Sequence, residues 1–176
     1  MKIESLSAEK EGILQAAKMI LLAARTAPKA RGRDYLETFI LTDKNKDKLA
    51  GEMQRYGEEI GAKYFVRDAQ NVRCAQVIVM LGTKIKQLDL KGCRFCGFTD
   101  CNENRENNGI CAFNTGDLGI AIGSAVSKAA DFRIDNRIMF TAGKAAINLG
   151  LFNKDIKVAY GIPLSVSGKN PFFDRK

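Results

Sequence analysis

The sequence predicts a layered α/β or α+β fold, one sheet flanked by helices, with a cysteine-rich loop inserted into it. Apolar runs at Leu36–Thr42, Gln76–Leu81 and Ile156–Ile162 alternate with stretches whose apolar residues recur at helical spacing. Glycine and proline punctuate the joins between them. Four of the five cysteines crowd into the nineteen positions from Cys93 to Cys111, between the second strand and a following helix. At 176 residues the chain can bury a sizeable core, and it reads as one domain, 1–176, with the cysteine loop at 91–112.

Ser7 reads as the N-cap of a first amphipathic helix, with Glu9 and Glu11 in its positive first turn and Ile13, Ala16, Ala17, Ile20, Leu21 and Ala24 on one face. Pro28 blocks its continuation. The loop that follows holds Lys29, Arg31 and Arg33, with Arg25 just before it; four cations this close could grip a phosphate, against the plainer reading of a solvated loop. The strand Leu36–Thr42 leads to a second helix capped by Asp43, with Leu49, Met53, Tyr56 and Ile60 on one face and Gly61 as its stop. Tyr64–Val66 reads as a short strand. Val72–Ala75 is ambiguous, and Cys74 within it reads as a small buried hydrophobe. Gln76–Leu81 suits a central strand ended by Gly82. Thr115 or Asp117 caps a third helix with Leu118, Ala121, Ile122, Ala125, Val126 and Ala129 inward, and Gly116, Gly119 and Gly123 are expected to let another helix or the cysteine loop approach. Asp135 opens a further helical stretch that ends near Gly150. Ile156–Ile162 is the last strand, ended by Pro163, and Phe172 and Phe173 pin the tail.

The cysteine spacing is C-x2-C-x4-C-x9-C, on Cys93, Cys96, Cys101 and Cys111. Four thiolates suit either an iron–sulfur cluster or tetrahedral zinc. Zinc sites usually pair two C-x2-C units or add histidine, and this chain has one such unit and no histidine. The pattern therefore favours a [4Fe–4S] cluster, with zinc and a metal-free reduced loop left open. Gly92, Gly97 and Gly109 flank the cysteines and permit a tight backbone path.

The formal net charge is +8, scattered without a nucleic-acid motif, so no nucleic-acid partner is expected. A basic surface of this kind could dock an acidic ferredoxin or flavodoxin as electron donor or acceptor. The longest apolar helical run, Met19–Ala24, is far short of a membrane span, and the chain opens without a leader pattern; it reads as cytoplasmic, with no membrane partner.

Cys93-x2-Cys96-Gly97-x3-Cys101 resembles the [4Fe–4S] module of corrinoid iron–sulfur proteins and of electron-transport ferredoxin subunits, although the fourth cysteine of that module usually lies further along than Cys111. More of the chain resembles a prokaryotic family of ferredoxin-domain proteins. The likeness runs through Cys93–Cys101, Asp117-Leu118-Gly119-Ile120-Ala121-Ile122-Gly123-Ser124-Ala125, Asp135-Asn136-Arg137, Gly161-Ile162-Pro163 and Phe172-Phe173-Asp174-Arg175. It implies a cluster and supplies no catalytic residues. A weaker likeness is to the nitroreductases, through Ala27-Pro28 and its basic loop before Leu36–Thr42, Asp117-Leu118-Gly119, and Leu149-Gly150-Leu151. It implies a nitroreductase-like fold, FMN as a second cofactor and a homodimer. Lys29 stands where those proteins have serine, and no flavin contacts carry over.

Three functions remain open: a single-electron carrier, extended to a small reductase if FMN binds; a zinc-stabilised or sensing domain; or an enzyme using acid–base side chains. For the last, Asp100, Asp117 and Asp135 are available, each with a simpler role as turn or cap. Cys74 has no identifiable base to activate it.

Overall fold

The computed structural model describes residues 2–173. Its elements are α1 (Ser5–Thr26), β1 (Leu36–Thr42), α2 (Asp43–Glu59), α3 (Lys63–Cys74), β2 (Val77–Lys84), α4 (Cys101–Glu106), α5 (Ala112–Asp131), β3 (Asp135–Asn136), α6 (Phe140–Asn148) and β4 (Ile156–Ser165). The four strands form one antiparallel sheet in the order β1-β2-β4-β3.

β2 explains the layering. Val77, Val79 and Leu81 point to one face and pack with α1 and α5. Ile78 and Met80 point to the other and pack with residues of α2, α3 and α6. Both faces are dry, so the strand reads as a continuous apolar run rather than an alternating one. The result is a sheet between two helical layers, as expected.

Several boundaries differ from the sequence reading, each for a local reason. Tyr64–Val66 is not a strand but the first turn of α3. Its buried residues Phe65, Ala69 and Val72 follow the helical period, which outweighs the β-prone triplet. Cys74 falls off that stripe at the end of α3 and is exposed, not core. α1 begins at Ser5, with Ser7 inside its first turn donating its N–H to the Glu4 carbonyl. Asp43 is the first residue of α2, not its cap. Asp135 pairs with Ser165 in β3, and the next helix waits until Phe140. Phe172 is buried, whereas Phe173 is exposed beneath the Arg137 guanidinium, whose Nη1 donates to the Phe172 carbonyl. Asp174 and Arg175 lie outside the described residues.

Gly82 does not end β2, and Pro163 does not end β4. A Cβ on Gly82 would come within 2.7 Å of Ile156 Cγ2, so this glycine permits close packing inside a strand that continues to Lys84. Pro163 sits opposite Ile78. Gly161 exchanges its two backbone bonds with Met139 on the β3 side. By alternation Pro163 also turns its nitrogen to that side, where β3 has already stopped at Asn136. The absent N–H therefore breaks no ladder.

Helix α6 meets β4 at backbone distance. A Cβ on Gly143 would lie 1.8 Å from the Ala159 carbonyl oxygen, a contact that no side-chain rotation can relieve. Gly116, Gly119 and Gly123 behave oppositely: nothing lies within 4 Å of a Cβ built there, so they mediate no close approach. Gly143→Ala should therefore cost about 3 kcal/mol or more. Gly123→Ala should add about 0.5–1 kcal/mol by removing glycine from a helix interior. Denaturant midpoints of both variants against the parent protein check the pair.

Candidate metal centre

The cysteine loop leaves the sheet at Lys84 and returns at α5, with only the short α4 inside it. No ladder runs through it, so its backbone is satisfied by local turn bonds and by side chains. Near the exit, buried Asn114 on the first turn of α5 accepts the Lys86 N–H at 2.7 Å. Arg31 Nη1 donates to the Leu88 carbonyl at 3.1 Å. Asn104, fully buried, works at the centre: its side-chain oxygen accepts from Gln87 Nε2, its Nδ2 donates to the Ile110 carbonyl, and its own carbonyl accepts the Gly109 N–H at 2.7 Å. Gly109 is required there, since a Cβ would meet Phe98 Cε2 at 2.6 Å and Asn104 Nδ2 at 2.7 Å.

Asp100 caps α4, accepting the N–H groups of Asn102 and Glu103 at 2.8 and 2.9 Å. Glu103 turns back to accept both the N–H and the hydroxyl of Thr99 at 2.6 Å. These bonds, hydroxyl first, hold its carboxyl below the usual range. Arg105 pairs with Asp89 across the loop. Within the C-x2-C unit Arg94 takes a left-handed conformation (φ 50°), and Gly97, whose N–H donates to the Arg94 carbonyl, takes φ 86°.

This scaffold brings Cys93, Cys96, Cys101 and Cys111 to the wall of one cavity of about 280 Å³. Cys93, Cys96 and Cys101 are half-buried and Cys111 is buried. Cys111 occupies the N-cap of the 20-residue α5, which thus starts before the expected caps Thr115 and Asp117 and sets its positive end beside the cavity. Cys74 is elsewhere. Among the described residues, no three His, Cys, Asp or Glu side chains converge as one bound ion would require. The donor set is four soft thiols, which suits a thiolate-bound cluster. Three residues beyond Cys111, Asn114 Nδ2 is a buried donor without a partner among the described residues.

A second, shallower cavity of about 510 Å³ adjoins the first, sharing Ala112 and Phe113 with it. Phe95, from inside the C-x2-C unit, stacks on Phe113 (centroids 5.8 Å apart, planes at 18°) and forms part of its wall. Asp117 lines it too. Its carboxylate accepts the Ala30 N–H at 3.0 Å, and burial pushes its pKa up despite that bond. Asp135 pairs in β3 and Asp100 caps α4, so the three candidate acids do not share a site.

The cations of the basic loop do not converge on a phosphate grip, the less favoured of the two readings of that loop. Arg25 pairs with Asp34, Lys29 Nζ donates to the Ala24 and Arg25 carbonyls at the end of α1, and Arg31 holds Leu88. Sequence reasoning missed the clamp of Gln87 and Asn104. Asn104 was legible only as one of several turn-forming asparagines, and Gln87 carried no signal.

The chain belongs to a family of ferredoxin-domain proteins. A protein of Archaeoglobus fulgidus, described as uncharacterized, is 41% identical over 175 residues, covering 95% of this chain and 94% of the relative. Residues 107–175 match the family described as "uncharacterized protein containing a ferredoxin domain (DUF2148)". The fold is that of the nitroreductases. A protein from Desulfovibrio desulfuricans described as a nitroreductase in complex with FMN aligns with a TM-score of 0.60 at 15% identity, over 92% of this chain and 78% of its own. A BluB-like flavoprotein from Clostridium difficile aligns with 0.59 at 15%, over 97% and 84%. The FMN-dependent nitroreductase NfnB of Mycobacterium smegmatis aligns with 0.59 at 14%, over 88% and 78%. Among the described residues no helix is long and apolar enough to cross a membrane.

Asp117 gives a pH test of this architecture. Its folded-state pKa lies above the ordinary 3.8, so the folded protein holds this proton more tightly than the unfolded chain. The group's contribution is fully present below the ordinary value and is lost as pH rises through the raised one. Asp117→Asn keeps an oxygen for the Ala30 N–H and removes the titration. Thermal midpoints measured from acid to neutral pH should show the variant gaining on the parent as pH rises; a constant difference would contradict this.

Proposed function

We propose that this protein carries single electrons on one [4Fe–4S] cluster held by Cys93, Cys96, Cys101 and Cys111. The observation that carries the reading is that these four thiols wall one cavity while Cys74 stands apart. Membership of a ferredoxin-domain family supports it. When bound, such a cluster supplies one-electron transfer and, with four cysteine ligands, offers no open position to substrate.

The chain's own residues serve that centre in separate ways. Gly97 lets the backbone turn around the C-x2-C unit, and the N-terminus of α5 offsets thiolate charge at Cys111. Asn114 Nδ2, three residues beyond Cys111, is a buried donor without a partner among the described residues. Phe95 and Phe113 shield one wall. The protein is read as one cytoplasmic domain, in a compartment that keeps the thiols reduced.

A flavin reductase is the second reading, favoured by the FMN named for two of the neighbours. The basic loop fits it poorly, because Arg25 pairs with Asp34 and Lys29 is held by carbonyls at the end of α1. A zinc-stabilised domain stands third.

Single Cys→Ser changes at 93, 96, 101 and 111 should each strip most of the iron from protein purified without oxygen and weaken its violet absorbance, while Cys74→Ser should keep both. Full iron retention by Cys111→Ser would break the four-ligand assignment.

A further inference from the structure

The rim of the two adjoining cavities carries an imbalance of charge around an exposed aromatic ring. Phe95 lies between two of the cysteines and is 77% exposed. Beside it, Arg94 and Lys91 line the cysteine cavity. Ala30 lines the second cavity, and the next residues bring Arg31, whose guanidinium reaches the Leu88 carbonyl, and Arg33. Arg94 donates to the Thr99 carbonyl. Among the described residues none of Arg31, Arg33, Lys91 and Arg94 pairs with a carboxylate. Of the acids nearby, Asp34 and Asp89 are neutralised by Arg25 and Arg105, whereas Asp100, Glu103 and Asp117 accept only from neutral groups and keep their charge. Outside ion pairs the rim thus sets the four cations Arg31, Arg33, Lys91 and Arg94 against the three carboxylates Asp100, Glu103 and Asp117, a positive excess on a chain of formal charge +8.

We propose that this face docks an acidic electron-carrier protein of the ferredoxin type, Phe95 giving the apolar centre of the contact and Arg31, Arg33, Lys91 and Arg94 its cationic border. The inference rests on the single-electron reading above and names the partner for that site. A bare aromatic ring ringed by cations suits a carboxylate-rich surface: long-range attraction steers the encounter, and the ring supplies the short-range contact. Its place inside the C-x2-C unit, between Cys93 and Cys96, brings the partner close to two of the residues that line the cysteine cavity. One electron crosses, with no bond made or broken; one centre is oxidised by one electron and the other reduced by one.

The test is anaerobic titration calorimetry of the cluster-bearing protein with an acidic bacterial ferredoxin, with iron assayed on every sample. Binding should be saturable at about 50 mM salt and at least about tenfold weaker at about 300 mM, as screening shortens the reach of the charges. Arg33→Glu/Lys91→Glu and Phe95→Ser, compared with the parent at equal iron content, should each weaken binding about tenfold at low salt. Lys44→Glu/Lys48→Glu, on α2 across the sheet, should not. Absence of saturable binding, or indifference to both sets of rim changes, overturns the proposal. So does a dimer of this chain that Phe95→Ser dissolves, since the face then belongs to a second copy. An iron-free protein that still binds with the same salt and variant dependence supports the docking face and overturns the cluster reading instead.

Discussion

The buried side-chain amide of Asn104 is the contact on which the cysteine loop depends. A long excursion from the sheet has no ladder to satisfy its backbone, and it can adopt one path only if interior polar groups are paired. Asn104 ties the outgoing limb, through Gln87, to the returning limb, through Gly109 and Ile110. Asn114 makes the matching tie from α5 to Lys86. Between these two amides the loop is fixed at both ends, and the four cysteines are brought to one wall. Asn104 and Asn114 are themselves buried, so each amide is costly to leave unpaired even though its partners lie nearer the surface.

Two structural identities meet here. The sheet and its two helical layers are those of nitroreductase-fold proteins, while the family is one of ferredoxin-domain proteins. The fold alone does not decide chemistry. In this chain the N-terminus of α5 serves two ends at once. In place of a polar cap it has Cys111, so the helix that anchors one hydrophobic layer also presents its positive end to the cysteine cavity. Core packing and the candidate site thus share one element, and the position of Cys111 follows from the burial of Leu118, Ala121 and Ala125 further along it.

Much of this was legible in the sequence, for identifiable reasons. The strand Leu36–Thr42 and the inward face of α5 both appear as read, the latter on a clean helical period. The cysteine spacing alone singled out the four residues that share a cavity. The misreadings cluster where a residue's local preference is overridden by packing. Gly82 and Pro163 look like strand ends, yet one accommodates Ile156 and the other turns its missing donor to a side where β3 has stopped. Tyr64–Val66 has β-prone composition but lies on a helical stripe with Ala69 and Val72. The clamp of Gln87 and Asn104 was illegible because its meaning lies in a contact across the loop, which no local pattern encodes.

The central claim is that the four-cysteine cavity holds a redox-active cluster. The most direct measurement is the absorbance spectrum of protein purified without oxygen, before and after dithionite, with iron, sulfide and zinc assayed on the same sample. The account predicts about four irons and about four sulfides per chain and a broad violet shoulder that bleaches on reduction. A colourless protein with one zinc per chain would contradict it.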